Sequence, residues 1–593
     1  MTSDSPLGIA VPDVLRASLL DDIYLRSAND ARPVQRIGVL LDSEQPAALF
    51  AAVLDHISRS NHSRIEAVVV NGLPARPSPH RPGAGKLRKL ITTLRDKKLR
   101  HGLAWTVYSR YDERLAPQAV DLLRPVDCSS LLTHAVRIVA APDVKGFVHR
   151  FDTAVVQQLS DLDLDVILRF GFNIIRGGIL KCARYGIWSF HHGDNEFYRG
   201  GPPHFWEIHE GNPCSGAILQ VLNEELDNGL VLDRIVSSTQ PGISVGQNRL
   251  APYVTSAHMV IRALHALHEQ GWEAIVGRAP EPVPYRGKRK LYRTPGNREM
   301  AAFVLGKLAR SARLRAGNLV PKRTHWRIGF RPAHGQGEIP ASVQGIRWLE
   351  SPRGFFHADP FILRHGGRSW VFVEEFDYAR QRGHIACAEL NGAGLAAPFQ
   401  PVIEEPWHLS YPFVFEHDTG IYMIPEAAES GKVTLYRAED FPFRWVRERE
   451  LFPHGLLDVT MHRRDGLCWF FGALVDPPAA SDRLCLFSSD GLFEPWKWHP
   501  ANPISADVRR ARPAGRIFNL GGTWIRPAQD CAERYGHAIR FLRIDELSTA
   551  SYRESEIAVL RPPEGVLGVH TFDSDGCFEV MDQVQAERCS RVG

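Results

Sequence analysis

The sequence predicts a multidomain chain: an α/β domain with a doubly wound sheet, followed by an all-β five-bladed propeller. Three observations lead there. The first third alternates buried strand-like runs with amphipathic helical runs. A strand-rich unit recurs five times in the second half. The chain of 593 residues is too long for one ordinary domain, and its 44% hydrophobic content suffices for more than one core.

The α/β elements come first. Arg36 to Asp42 reads as a buried strand, Pro46 to Ile57 as a helix, and Ile65 to Asn71 as a second strand. That order predicts parallel pairing. No GxGxxG follows the first strand, so a dinucleotide is not indicated. Arg137 to Ala140 and Val166 to Leu168 are further strands, with the helix Phe151 to Leu159 between them. A short helix begins at Pro203, and a closing helix spans Pro252 to Gln270, where Met259, Val260, Ala263, Leu264 and Leu267 form an apolar stripe. This domain is placed at 1–270, with its core at 36–240.

The chemistry concentrates after the strand Leu164 to Gly171. The loop Gly186-Ile187-Trp188-Ser189-Phe190-His191-His192-Gly193-Asp194 leads to the turn Arg199-Gly200 and then to Leu226-Asp227-Asn228-Gly229. A buried strand opening into a Gly- and His-rich loop is where an open α/β sheet places reacting groups. The residues offer a base or oxyanion partner, a carboxylate to orient it, and room for a substrate.

These motifs resemble the formyltransferase superfamily, whose core reads Asn-x-His, an Arg-Gly turn and Asp-x-Gly. His191, Arg199-Gly200 and Asp227-Asn228-Gly229 stand at those positions, and Ser189 stands where the family has its Asn. The resemblance implies formyltetrahydrofolate as formyl donor and an amine acceptor. It implies His191, Asp227 and Ser189 as catalytic residues, with His191 and Ser189 holding the oxyanion and Asp227 orienting His191 and helping to remove the amine proton. Phe170, Gly171, Asn173 and Gly177 are expected along the folate pocket. His192, Asp194, Arg199 and Gly200 are expected at the acceptor.

Composition narrows the class. A net charge of +4 gives no case for nucleic-acid binding. Nine cysteines lack a CxxC pair and read as thiols of a reducing compartment, and no metal site is expected. No signal peptide or transmembrane run is read, so a cytoplasmic location is expected. Lys86 to Arg100 is basic, with Leu87, Leu90, Ile91 and Leu94 at helical spacing. It suits a peripheral membrane contact or an anionic ligand, and equally a solvated helix face. Residues 286–327 carry thirteen basic residues against Glu299 alone. Residues 271–323 are expected as a basic linker with a helix over Glu299 to Arg315.

The propeller, placed at 324–593, rests on a repeat. Units open at Asp359, Tyr411, Asp458, Arg516 and Val569, and in each an aromatic-rich strand, a turn and a second strand follow. The Asp-Pro-Phe opening resembles glycosidase-type propellers. His408 to Phe413 and Arg526 to Asp530 resemble more closely the propeller domain attached to plant sphingolipid glycosyltransferases. First strands line the central channel of a propeller, so Asp359, Tyr411, Asp458, Arg516 and His570 are expected near one axis, with Glu374, Glu375 and Glu426 leaning in. Glycosidic chemistry needs two carboxylates across a sugar. Asp359 as base or nucleophile, Glu426 as acid and Asp458 as modulator is one reading, with Tyr411 in place of a second-blade acid. Carbohydrate binding and a structural role are the others.

The expected activity is formyl transfer to an amino sugar or glycan precursor, nucleotide- or lipid-linked, with the propeller recognising carbohydrate. The alternatives are a propeller enzyme that cleaves or transfers a glycosyl group beside a degenerate front domain, and a non-catalytic scaffold for glycan assembly.

Overall fold

The computed structural model describes residues 22–74, 101–240, 242–281, 283–317, 322–333, 339–340, 342–418, 420–475 and 481–588, with Pro12 and Leu15. The basic run from Lys86 to Arg100 lies outside the described residues. The chain divides into two compact units, Met1–Ala312 and Arg313–Gly593.

The first unit is built on a seven-stranded sheet. Its strands are β1 (Gln35–Leu41), β2 (Ser63–Asn71), β3 (Val136–Ala140), β6 (Val166–Arg169), β8 (Ile187–His191), β9 (Cys214–Val221) and β10 (Leu230–Ser238), in the order β10-β9-β8-β6-β1-β2-β3. The strands from β8 to β3 pair in parallel, and β9 and β10 join antiparallel at one edge. A second, three-stranded sheet holds β4 (Asp143–Lys145), β5 (Val148–Arg150) and β7 (Ile174–Arg176).

The parallel strands are apolar nearly throughout, as strands buried on both faces must be. The helices are α1 (Ala48–Arg59), α2 (Leu103–Leu115), α3 (Pro117–Leu123), α4 (Thr153–Asp161), α5 (Phe205–Glu210), α6 (Val245–Gln270), α7 (Trp272–Arg278) and α8 (Asn297–Gly317). Helix α4 starts on Asp152, whose side chain accepts from the Val155 amide at 2.8 Å. Its Val155 and Leu159 pack on Leu40, Val69 and Ile167 of the sheet. Helix α6 packs on α1, β9 and β10.

Two sequence expectations change. Helix α6 begins at Val245, seven residues before Pro252, because Ser244 caps it by accepting from the Gln247 amide at 3.0 Å. Pro252 therefore sits inside the helix rather than at its start. The segment 271–323 is not a plain linker. Tyr292, Met300 and Phe303 are buried with Tyr108, Phe205 and Trp206 in one core of the first unit. Alternating aromatic and basic residues give little periodic signal, so this core was hidden in the basic composition.

The second unit is a propeller of five sheets. Strands β13 (Phe355–His365), β14 (Arg368–Asp377) and β15 (Arg382–Asn391) lead the first. Strands β18 (Ser410–His417), β19 (Gly420–Glu426), β20 (Val433–Asp440) and β21 (Arg444–Phe452) form the second. The third is led by β22 (Leu456–Arg464), β23 (Leu467–Leu474) and β24 (Leu484–Ser489). In the fourth, β26 (Arg512–Pro513) and β27 (Phe518–Leu520) both pair with β28 (Thr523–Asp530), followed by β29 (Ala538–Leu547) and β30 (Tyr552–Leu560). The fifth mixes both ends of the unit: β31 (Phe572–Ser574) and β32 (Phe578–Arg588) pair with β11 (Lys322–Pro332) and β12 (Arg347–Trp348). β11 and β32 run antiparallel from Lys322↔Arg588 to Pro332↔Phe578 and close the ring. Successive innermost strands lie side by side, β13 on β18, β18 on β22, β22 on β26 and β31 on β13. The Phe572 amide donates to the Ala514 carbonyl at 2.9 Å, joining fourth and fifth blades.

Candidate functional site

In the first unit, a cavity of about 970 Å³ opens where β6 and β8 end. Arg169, the last residue of β6, and His191, the last of β8, both line it. Gly200, Gln220 and Asp227 line it as well, with Ile174, Ile175 and Leu222 as apolar wall. Parallel strands end together at one edge of their sheet, so side chains at those ends converge.

His191 is buried, and its Nε2 lies 2.7 Å from the Tyr198 carbonyl oxygen. A carbonyl only accepts, so Nε2 donates to it. Nδ1 stands 3.3 Å from Asp227 Oδ1. The other oxygen of Asp227 accepts from the Gly200 amide at 2.9 Å. Asp227 itself adopts a left-handed backbone, φ 52°, which turns its carboxylate to the histidine. Gly200 has φ 94°, and a Cβ there would stand 2.3 Å from the Tyr292 carbonyl oxygen. The Arg-Gly turn therefore requires its glycine.

Ser189 is buried and is not among the residues that line the cavity. Its hydroxyl accepts from Arg169 Nε at 2.9 Å and donates to the Phe190 carbonyl at 3.1 Å. Arg169 Nη1 donates to the carbonyls of Phe172 and Asn173 at 2.8 and 3.0 Å, while Nη2 makes no hydrogen bond to a described residue. Burial pulls the Arg169 guanidinium below its ordinary value, and the carboxylates of Asp227 and Asp42 oppose that. Ser189 thus anchors a cation that lines the cavity. Sequence reading missed Arg169, because it lies twenty residues before Ser189 and meets it only through the parallel register Arg169↔Ser189.

The remaining expected residues divide. Asn173 lines the cavity. The Gly177 amide donates to Glu224, itself a lining residue, at 2.9 Å. Phe170 instead stacks on Phe50 at 4.6 Å, and Gly171 packs on the end of β1, where a Cβ would stand 2.2 Å from the Asp42 nitrogen. His192 packs on Tyr253 at 4.0 Å, its Nε2 is 3.3 Å from Ser256 Oγ, and burial holds it well below the usual histidine range. Asp194 accepts from Arg234 Nη1 at 3.2 Å and from the Glu196 amide at 3.0 Å. His192 and Asp194 therefore brace the loop instead of lining the cavity. Arg199 donates to Asn228 Oδ1 at 2.8 Å and lies over the Tyr285 ring at 4.7 Å.

In the propeller, Asp359, Tyr411, Asp458 and Glu426 gather at the ring's centre. Asp359, Tyr411 and Asp458 have φ of 49°, 44° and 51°, each at a bulge of its innermost strand. Asp359 accepts from the Tyr411 amide at 3.2 Å and from Thr571 Oγ1 at 2.6 Å. The Tyr411 hydroxyl stands 2.7 Å from Thr460 Oγ1 and accepts from the Gly515 amide at 2.7 Å, so the ring bridges three blades. Asp458 is held by Arg512 Nε at 2.5 Å and Gln529 Nε2 at 2.9 Å. Glu426 accepts from Ser410 Oγ at 2.8 Å and the Ala428 amide at 2.6 Å.

Burial raises the carboxyls of Asp359, Asp458 and Glu426, and Glu374 most strongly, with neighbouring carboxylates adding to it. Glu375 differs: although burial opposes it, His357 and His384 hold it down at about 2. Asp582 escaped sequence reading. Fully buried on β32, it stands 2.6 Å from His570 Nδ1 and accepts from the Asp359 amide at 2.9 Å. Asp359, His570 and Asp582 each offer a ligand atom, all within 4.8 Å of one another, and among the described residues this is the group that suits a cation. Tyr535, 46% exposed, stands edge-on to His570 at 5.4 Å.

Among the described residues, no helix is long and apolar enough to cross a membrane.

Residues 349–565 match the family described as glucosamine inositolphosphorylceramide transferase 1, N-terminal. A glucosamine inositolphosphorylceramide transferase 1 of Arabidopsis thaliana is 36% identical over 207 residues, covering 34% of this chain and 27% of that protein. A methionyl-tRNA formyltransferase of Synechococcus is 31% identical over 124 residues, covering 20% of this chain and 35% of that one. A GH43_1 enzyme from Xanthomonas citri aligns with a TM-score of 0.30 at 12% identity, over 40% of this chain and 89% of its own. The chain thus spans about a quarter to a third of the length of these two curated relatives. The propeller is similar to the N-terminal part of the glucosamine inositolphosphorylceramide transferases, and the first unit resembles, more distantly, the formyltransferases.

Proposed function

We propose that the protein is a formyltetrahydrofolate-dependent N-formyltransferase whose acceptor is an amino sugar or a nucleotide- or lipid-linked glycan precursor, and whose propeller recognises carbohydrate. One observation carries this reading: a single cavity joins His191, Asp227 and Arg169 beyond the ends of two parallel strands. Its apolar wall of Ile174, Ile175 and Leu222, beside Asn173 and Gln220, suits a flat heteroaromatic donor. Bound there, formyltetrahydrofolate supplies an activated formyl group.

The side chains then take distinct roles. His191 receives at Nδ1 the proton that the acceptor amine must lose. The resulting imidazolium finds Asp227 Oδ1 at 3.3 Å, while Tyr198 keeps the other nitrogen fixed. Arg169 supplies the positive charge where negative charge develops on the formyl oxygen. This differs from the expectation that His191 and Ser189 would hold the oxyanion: both nitrogens of His191 face acceptors, and Ser189 acts by placing Arg169.

The full chain, 10-formyltetrahydrofolate and a panel of free, nucleotide-linked and lipid-linked amino sugars provide the test, read by mass spectrometry. The N-formyl product should form with wild type and disappear with His191→Ala. No product from any acceptor, with the wild type folded, would end this reading.

A second reading has its own support. Glu374 and Glu426 are held toward the protonated form beside Asp359, which is the state a general acid for glycoside cleavage needs. Hydrolysis of aryl glycosides by wild type, lost in Asp359→Ala and in Glu426→Gln, would favour it.

A further inference from the structure

A second groove of about 790 Å³ adjoins the cavity and shares Leu226, Leu291 and Arg293 with it. Its remaining lining is Arg199, Tyr285 and Lys290. The groove's full lining holds three cations, Arg199, Lys290 and Arg293, and no carboxylate. Lys290 and Arg293 are exposed and make no ion pair with a described residue. Arg199 is fixed by its bonds to the Asn195 carbonyl at 3.1 Å and Asn228 Oδ1 at 2.8 Å, neither of which is charged.

The groove is held in place by backbone. The Tyr292 amide donates to the Arg199 carbonyl at 2.8 Å, and the Gly201 amide donates to the Tyr292 carbonyl at 3.2 Å. The Arg286 amide donates to the Glu196 carbonyl at 2.6 Å. Residues 285–293 thus lie along the Arg-Gly turn, and Trp206 Nε1 ties the far end by donating to the Arg293 carbonyl at 3.2 Å. Two of the segment's other cations are already engaged: Arg289 with Glu299 at 2.6 Å, and Lys288 near Glu210 at 3.7 Å. Lys290 and Arg293, which pair with no carboxylate among the described residues, face the groove. Unneutralised positive charge gathered on a fixed wall favours an anion.

We propose that this groove is an anion subsite, formed by Arg199, Lys290 and Arg293, that holds a phosphate-bearing part of the acceptor while its amine reaches His191. This rests on the formyl-transfer reading of the adjoining cavity. The phosphate belongs either to a nucleotide or to a lipid-linked precursor, since the two present the same diester or diphosphate oxygens.

The test titrates inorganic pyrophosphate calorimetrically into the full chain. Wild type and K290R/R293K should bind it with an affinity that falls as salt rises. K290E/R293E should bind about tenfold more weakly or worse, with thermal unfolding showing that the variant is folded. Equal binding by wild type and K290E/R293E, or none by wild type, overturns the proposal. Titration with UDP and with phosphatidylinositol-containing vesicles separates the two sources; charge-dependent binding of either supports the subsite. The mono- and triglutamate forms of 5-formyltetrahydrofolate form the last arm. Both should bind wild type and K290E alike. A tighter triglutamate whose advantage vanishes in K290E would give the groove to the folate tail and overturn the proposal. Failure of both folates to bind, with pyrophosphate binding intact, would instead remove the formyl-transfer reading and leave the anion subsite standing.

Discussion

At the scale of single residues, the account turns on Arg169 and His191. Arg169→Met removes a guanidinium that lines the cavity beside Asp227 but keeps much of its volume. Formyl transfer should fall about a hundredfold or more in kcat with little change in KM, the loss expected for a group that acts on developing charge. Steady-state kinetics with varied acceptor checks it; a change confined to KM would make Arg169 a binding residue. His191, the Arg-Gly turn and Asp227 were legible in the sequence because the motif is local and its spacing is fixed by strand and turn lengths. Arg169 was not legible, because its partnership with Ser189 exists only across a parallel strand pair. Asp582 was missed for the same reason: it meets Asp359 and His570 only when the last strand returns to the ring.

At the scale of elements, two features decide whether the parts hold. The closing pair β11 and β32 contains Arg331 and Glu579, 7% and 6% exposed and 2.7 Å apart. Arg331 also donates to the carbonyls of Ser342 and Gln344. Arg331→Met should cost the propeller about 3–5 kcal/mol, because it takes the guanidinium away from the buried Glu579 carboxylate; denaturant unfolding measures it, and a loss below about 1 kcal/mol would show that the closure does not depend on the pair. In the first unit, Gly200→Ala forces a side chain into a left-handed turn against the Tyr292 carbonyl. It should cost about 1–3 kcal/mol and lower the melting temperature of that unit. The repeat of strand, turn and strand was readable from alternating aromatic and β-branched residues. The pairing of β11 with β32 was not, since a strand carries no mark of which distant strand it will meet.

At the scale of the whole molecule, pH acts through buried groups that are neutral in the fold. Burial pushes the Glu207 carboxyl up to about 8 from an ordinary 4.5. Burial also holds His204 and His192 well below 6.5. His204 Nδ1 and Glu207 Oε1 stand 3.7 Å apart, too far for a hydrogen bond, and the pair is neutral on both sides. The unfolded chain releases the Glu207 proton near pH 4.5 and the folded chain near 8, so this contribution is full below 4.5 and lost as pH rises toward 8. The histidines act the opposite way, since the unfolded chain takes up their protons below about 6.5 and stability falls with falling pH. Glu207→Gln should therefore flatten the decline between pH 4.5 and 8, by up to about 1.4 kcal/mol per pH unit. Thermal melts of wild type and variant across that range check the sign; parallel curves would mean that Glu207 ionises freely in the fold.

The central claim is that the first unit binds a formyl-bearing folate between Arg169, His191 and Asp227. Its most direct test is calorimetric titration of the full chain with 5-formyltetrahydrofolate, with Asp359→Ala as a control in the propeller. Dissociation constants of about a micromolar, near −8 kcal/mol, are expected for both proteins. No binding heat from folded wild type at any attainable concentration would contradict the claim and turn attention to the acidic centre of the propeller.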